Sequence, residues 1–162
     1  MSNYSDEFVA LGMARYKQAA ATLVAFGKEV EVQLQQILEK RNPEKLGGFI
    51  PKAAKAPRST KYWSAYPLLN AKLDGEFLGE SVTITIMVNW YEAEGEYPVY
   101  ELDLEPWKPY VDAMKEFDWQ NNVSFISEKK IQLMPNESDF NLAQDFDILL
   151  DEISRFFNSL QI

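Results

Sequence analysis

Histidine and cysteine are both absent from the 162 residues. The missing histidine is the more restrictive loss, because imidazole titrates near neutrality unassisted and is the commonest metal ligand. Without either residue no Ser-His-Asp or Cys-His arrangement can exist, and no zinc site can be built from nitrogen or sulfur ligands. Carboxylate or lysine chemistry remains open, as does a hard cation held by oxygen. Disulfides are excluded outright. The chain also lacks a run of about 18 apolar residues and a charged-then-apolar leader, so a soluble, cytoplasmic protein with no membrane association is expected.

Other signatures are missing too. There is no Gly-x-x-x-x-Gly-Lys and no Gly-x-Gly-x-x-Gly for phosphate binding. "DFD" at residues 145–147 lacks the glycine and the closing glutamate of a calcium loop. "SEKK" at residues 127–130 matches Ser-x-x-Lys formally, but it opens no helix and has no Lys-Thr-Gly partner. No cofactor is implied.

What is present is a length that suits one domain over residues 1–162, enough to bury roughly 70% of the surface an unfolded chain exposes. The formal net charge of −9 is unevenly spread. Residues 1–42 carry five acids and five bases, and residues 43–72 one acid and six bases. Residues 73–105 then carry nine acids and no base, and residues 106–162 ten acids and five bases. A basic, proline-punctuated loop or linker at about 43–61 thus joins a neutral segment to an intensely acidic one.

Periodicity supplies the elements. From Ser5 to Asn42 the residues Phe8, Leu11, Ala19, Leu23, Phe26, Val30, Leu34 and Ile37 recur at steps of mostly three and four, which predicts an amphipathic helix covering a core. Ser5 is its N-cap candidate. A strand is expected over 62–73, turning near Asp74-Gly75. In "SVTITIMVNWY" apolar and polar residues alternate, which predicts a half-buried strand. A five-residue loop at Glu92 to Glu96 would set Tyr91 opposite Tyr97, Val88 opposite Tyr100, Ile86 opposite Leu102 and Ile84 opposite Leu104. In that register the apolar sets of both strands share one face, whereas a slip of one residue would separate them. The other face pairs Met87 with Glu101, Thr85 with Asp103 and Thr83 with Glu105. A short helix beginning at Pro106, two short strands joined near Glu128-Lys129-Lys130, and a last amphipathic helix capped by Ser138 or Asp139 complete the chain.

The order is therefore α-β-β-β-α-β-β-α. It predicts an α+β fold, a mainly antiparallel sheet of about five strands packed on one face by the long first and last helices. The opening α-β-β-β-α-β order resembles the core of the PD-(D/E)XK nuclease superfamily. That resemblance would imply an acidic residue on one strand and a Glu-x-Lys pair on the next. The corresponding strand reads Glu101-Leu102-Asp103 without the lysine, and the literal Glu-x-Lys, Glu128 to Lys130, follows the middle helix. No catalytic residue is carried over.

Two function classes follow. The first is a non-catalytic acidic interaction protein, such as an inhibitor or immunity-type factor, binding a protein partner with a basic surface, for example a nucleic-acid-handling one. Its contact residues would be Tyr91, Glu92, Glu94, Glu96, Tyr97, Glu101, Asp103 and Glu105, aromatic anchors beside carboxylates. Lys55, Arg58, Lys61, Tyr62 and Trp63 form a second patch, which either contacts a partner or neutralises the acidic sheet from within. The alternative is a magnesium- or manganese-dependent hydrolase, nuclease-like, using sheet carboxylates with Lys61 or another lysine. A net charge of −9 disfavours direct nucleic-acid binding, which draws on cationic surface.

Overall fold

The computed structural model describes residues 5–39, 43–55, 68–89, 97–135 and 141–161. In chain order these form helix α1 (Asp6–Glu39), a 3-10 turn (Pro43–Leu46), strands β1 (Ile50–Lys55), β2 (Leu68–Phe77), β3 (Glu80–Asn89) and β4 (Val99–Glu105), helix α2 (Val111–Glu116), strands β5 (Val123–Ser127) and β6 (Lys130–Leu133), and helix α3 (Leu142–Ser159). The six strands make one sheet in the order β1-β2-β3-β4-β6-β5, with every neighbouring pair antiparallel. The fold is α+β.

The register argued from alternation holds across β3 and β4, where Val88 faces Tyr100, Ile86 faces Leu102 and Ile84 faces Leu104. Those six side chains are buried, together with Val82, Leu73, Phe77, Ile131 and Leu133 from the flanking strands. α3 closes over them with Phe146, Leu149, Ile153, Phe156 and Phe157. Aromatic rings join the two layers: Tyr100 meets Phe146 edge-on at 5.9 Å between centroids, and Phe77 meets Phe157 at 4.4 Å. Such pairs add about 0.5–1.5 kcal/mol each beyond the area they bury.

Several expectations need correction. The segment read as a basic loop contains β1, which pairs with β2 and raises the strand count to six. Pro51 lacks a ladder N–H, a defect that an edge strand tolerates. The turn expected at Asp74-Gly75 is absent because β2 continues to Phe77. The chain reverses at Leu78-Gly79, both at positive φ (52° and 83°), as a two-residue hairpin requires. Gly75 is there for close approach, since a Cβ would collide with the Ile50 carbonyl and the Phe49 ring.

The helices differ as well. α1 starts as expected, with the Ser5 hydroxyl accepting from the Phe8 N–H at 3.1 Å. It meets the body through contacts with α3 and β1, and Phe26 packs on the core. Phe8 and Leu11, expected to cover a core, are 62% and 53% exposed. α2 begins at Val111, not Pro106, because Pro109 biases the residue before it away from helical geometry. The cap of α3 is Asn141, whose side chain accepts from the Gln144 N–H at 3.1 Å. Ser138 and Asp139 lie outside the described residues, as do Trp90 and residues 62–67 of the strand expected over 62–73, the rest of which is the start of β2.

Candidate functional site

Strand side chains alternate between faces, so burying Tyr100, Leu102 and Leu104 under α3 sends Glu101, Asp103 and Glu105 to the opposite face of the sheet. Their neighbours there are Met87, Thr85 and Thr83 on β3, as expected. On the other side of β4, Gln132 and Lys130 of β6 stand opposite Glu101 and Asp103. The β5–β6 turn adds Lys129.

These lysines change the electrostatics of the face. The Lys130 ammonium lies 2.5 Å from Glu101 Oε2, while Asn89 Nδ2 donates to Glu101 Oε1 at 2.6 Å. Glu101 is thereby 97% withdrawn from solvent with both oxygens engaged; its residual exposure is 3%. Lys129 Nζ sits 2.9 Å from Glu105 Oε1 and 3.9 Å from Asp103 Oδ2. Further across the sheet, Asp74 Oδ1 accepts from the Thr83 hydroxyl at 2.8 Å, and Glu76 forms an ion pair with Lys52.

Two titrations follow from this geometry. Burial holds the Asp103 carboxyl above its ordinary range; Lys130 and Lys129 pull it down, while Glu101 and Glu105 push it up. The Asp103 Oδ1 atom is buried without a hydrogen-bond partner among the described residues, consistent with a carboxyl that ionises reluctantly. Lys129 moves upward, chiefly through its hydrogen bond to Glu105, with burial opposing and the Asp103, Glu105 and Glu128 carboxylates assisting.

The expected partner-binding residues therefore divide. Glu101, Asp103 and Glu105 share one face, but only Glu105 among them keeps about half its side chain in water, at 46%. Tyr97 is half-buried at the approach to β4. Tyr91, Glu92, Glu94 and Glu96 lie outside the described residues, as do Arg58, Lys61, Tyr62 and Trp63 of the second patch. Lys55 lies in β1, its Cα paired with that of Lys72. In the same strand, Lys52 forms an ion pair with Glu76.

Sequence reading missed Lys129, Lys130 and Asn89 as members of this face. It also missed two further buried carboxylates, because Asp145 and Glu152 look like the polar flank of an amphipathic helix. Both are buried. Glu152 accepts from the Gln120 N–H at 2.8 Å, from Asn121 Nδ2 at 3.2 Å and from Arg155 Nη1 at 2.7 and 2.8 Å. Arg155 also donates to the Asp118 carbonyl and lies over the Phe117 ring. This latch ties α3 to the loop between α2 and β5. At the other end of α3, Asp145 sits beside the Tyr100 hydroxyl; burial and that carboxylate drive the phenol far above its usual range.

No group of three or more acidic side chains is arranged to hold a metal ion among the described residues. No described helix is long and apolar enough to cross a membrane. Comparison of the chain with protein-family models, with curated proteins and with solved structures gives no match in any of the three.

Proposed function

We propose that this is a non-catalytic acidic interaction protein, an inhibitor or immunity-type factor that binds and blocks a protein partner with a cationic surface. The observation that supports the reading is the concentration of acids in residues 73–105. Glu76, Glu101, Asp103 and Glu105 are served by Lys52, Lys130 and Lys129, and Asp74 by a threonine hydroxyl. The segment holds nine carboxylates and no base of its own. The remaining four carboxylates are Glu80, Glu92, Glu94 and Glu96, the last three at alternate positions of one short run. Tyr91 and Tyr97 bracket that run and supply the apolar anchors of the contact.

The carboxylates of such a face stand where phosphates would bind on a nucleic-acid-handling partner. They steer association over distances of about a Debye length, roughly 8–10 Å at moderate salt. Glu101, being buried and paired, contributes nothing to that encounter. Capture of the partner from the native cell with identification by mass spectrometry supplies the reagent for the test. Affinity of the triple variant Glu92→Gln/Glu94→Gln/Glu96→Gln is then expected to fall at least about tenfold, mostly through a slower association rate. Glu101→Gln is expected to change affinity by less than about threefold. Unaltered binding by the triple variant would overturn the reading.

A further inference from the structure

A cleft of about 330 Å³ opens between α1 and the start of α3, lined by Phe26, Glu29 and Gln33 of the first helix and by Asn141, Leu142 and Ala143 of the last. Phe26, Glu29 and Gln33 follow one another at steps of three and four, which sets them on one face of α1. Phe26, Leu142 and Ala143 belong to the core or pack against it, so the inner wall is apolar. The volume lies at the small end of sites that hold small molecules, too little for a folded partner's segment of any length.

The polar side of the cleft is less ordinary. Gln33 Nε2 donates to Glu29 Oε1 at 3.0 Å. A carboxylate only accepts, so the amide must turn its NH₂ to Glu29 and its oxygen away. Gln33 Oε1 is then buried without a hydrogen-bond partner among the described residues, an arrangement that destabilises the fold and is uncommon in native proteins. Its result is a carboxylate held in place: Glu29 is exposed, with Oε1 fixed by Gln33 and no lysine or arginine among the described residues that line the cleft.

We propose that this cleft binds a small organic ammonium ion, a primary amine whose apolar or aromatic body lies on Phe26, Leu142 and Ala143 while its charged end meets Glu29. Charge decides the class. The start of α3 presents about half a positive charge, which is less than the full negative charge of Glu29 and is further offset by Asp145 in the first helical turn. The chain's net charge of −9 also draws cations and repels anions at long range. Gln33 is a positioning residue that aims the carboxylate. For a ligand this small, with its ion pair open to water, affinity on the order of 1 mM is expected.

Amide NMR titration of the full chain with phenethylamine up to about 20 mM at fixed ionic strength tests this, a range that brackets the expected constant. Saturable shifts centred on residues 26–33 and 141–144 are expected. Phenylacetate and 2-phenylethanol carry the same ring without the cation; the first should not saturate, and the second should bind at least about threefold more weakly. Glu29→Gln should weaken phenethylamine binding about threefold to fivefold with the melting temperature unchanged, because the side chain is exposed. Gln33→Leu should weaken binding similarly yet raise the melting temperature by about 2–4 °C, since it removes the unpaired buried oxygen. A merely structural glutamine would not move the two readouts in opposite directions. Ala143→Phe, which fills the cleft, should abolish saturation. No saturation in the original chain, shifts centred elsewhere, phenylacetate binding as tightly as the amine, or unaltered affinity in Glu29→Gln would overturn the proposal.

Discussion

Replacing Lys130 with methionine isolates the pairing that defines the outer face of the sheet. The Glu101 side chain is 4% exposed and that of Lys130 27%, so the carboxylate is buried and the ammonium mostly so. Removing one member of a buried pair costs about 3–5 kcal/mol, because the other charge is left without compensation. Water can reach the vacated lysine position, and Asn89 Nδ2 still donates to Glu101, so the lower end applies: about 3 kcal/mol. With a urea m-value of about 2 kcal/mol/M, the unfolding midpoint should drop by about 1.5 M. In Glu101→Gln/Lys130→Met no charge remains to be stranded, and stability should return to within about 1 kcal/mol of the original. A double-mutant cycle by equilibrium urea unfolding then yields a coupling of about 2 kcal/mol. Additive effects, or a Lys130→Met cost below about 1 kcal/mol, would refute the claim that Lys130 neutralises a buried carboxylate.

Three further outcomes follow from the same packing. Glu152→Ala strands Arg155 and the loop donors of residues 120 and 121; it should cost about 3 kcal/mol by thermal unfolding, whereas Glu152→Gln, which keeps acceptor geometry, should cost about half that. Equal costs would mean that the charge is irrelevant. Gly75→Ala forces a Cβ into the Ile50 carbonyl and the Phe49 ring, so it should destabilise by about 2 kcal/mol and speed amide exchange in β1 first. Unaltered β1 exchange would contradict that assignment. For Asp103 the folded pKa lies above the unfolded value of about 3.9, so the fold binds this proton more tightly than the unfolded chain does. Its contribution to stability is full below about pH 4 and is withdrawn as pH rises through the folded value. The stability advantage of Asp103→Asn over the original chain should therefore shrink on acidification; an advantage that grows would contradict the raised pKa.

Alternation on two adjacent strands made the β3–β4 register legible, because only one pairing lets both apolar sets share a face. β1 was not legible. "IPKAAK" has no alternating apolar signal, its proline and lysines read as a loop, and its place at the sheet edge is set by β2. Asp74-Gly75 carries the composition of a turn, but the glycine answers to the Phe49 ring, a contact no local pattern encodes. The outer face was half legible. Its carboxylates were placed correctly by strand period, yet their burial depends on β6 lying beside β4, which inserts a strand later in sequence next to an earlier one. Lys129 and Lys130 were visible as hairpin residues and invisible as counterions. Likewise, helical period put Glu152 on the flank of α3, and only the loop folding back at residues 118–121 shows why a carboxylate belongs there.

The dependence of partner affinity on salt tests the central functional claim most directly. If the carboxylates of residues 92–96 drive the encounter, raising sodium chloride from about 50 to 500 mM shortens the Debye length from about 14 to 4 Å, and the association rate should fall by at least about tenfold while dissociation changes little. The Glu92→Gln/Glu94→Gln/Glu96→Gln variant should show a much flatter response. An association rate indifferent to salt, or the same steep slope in the variant, would contradict the account.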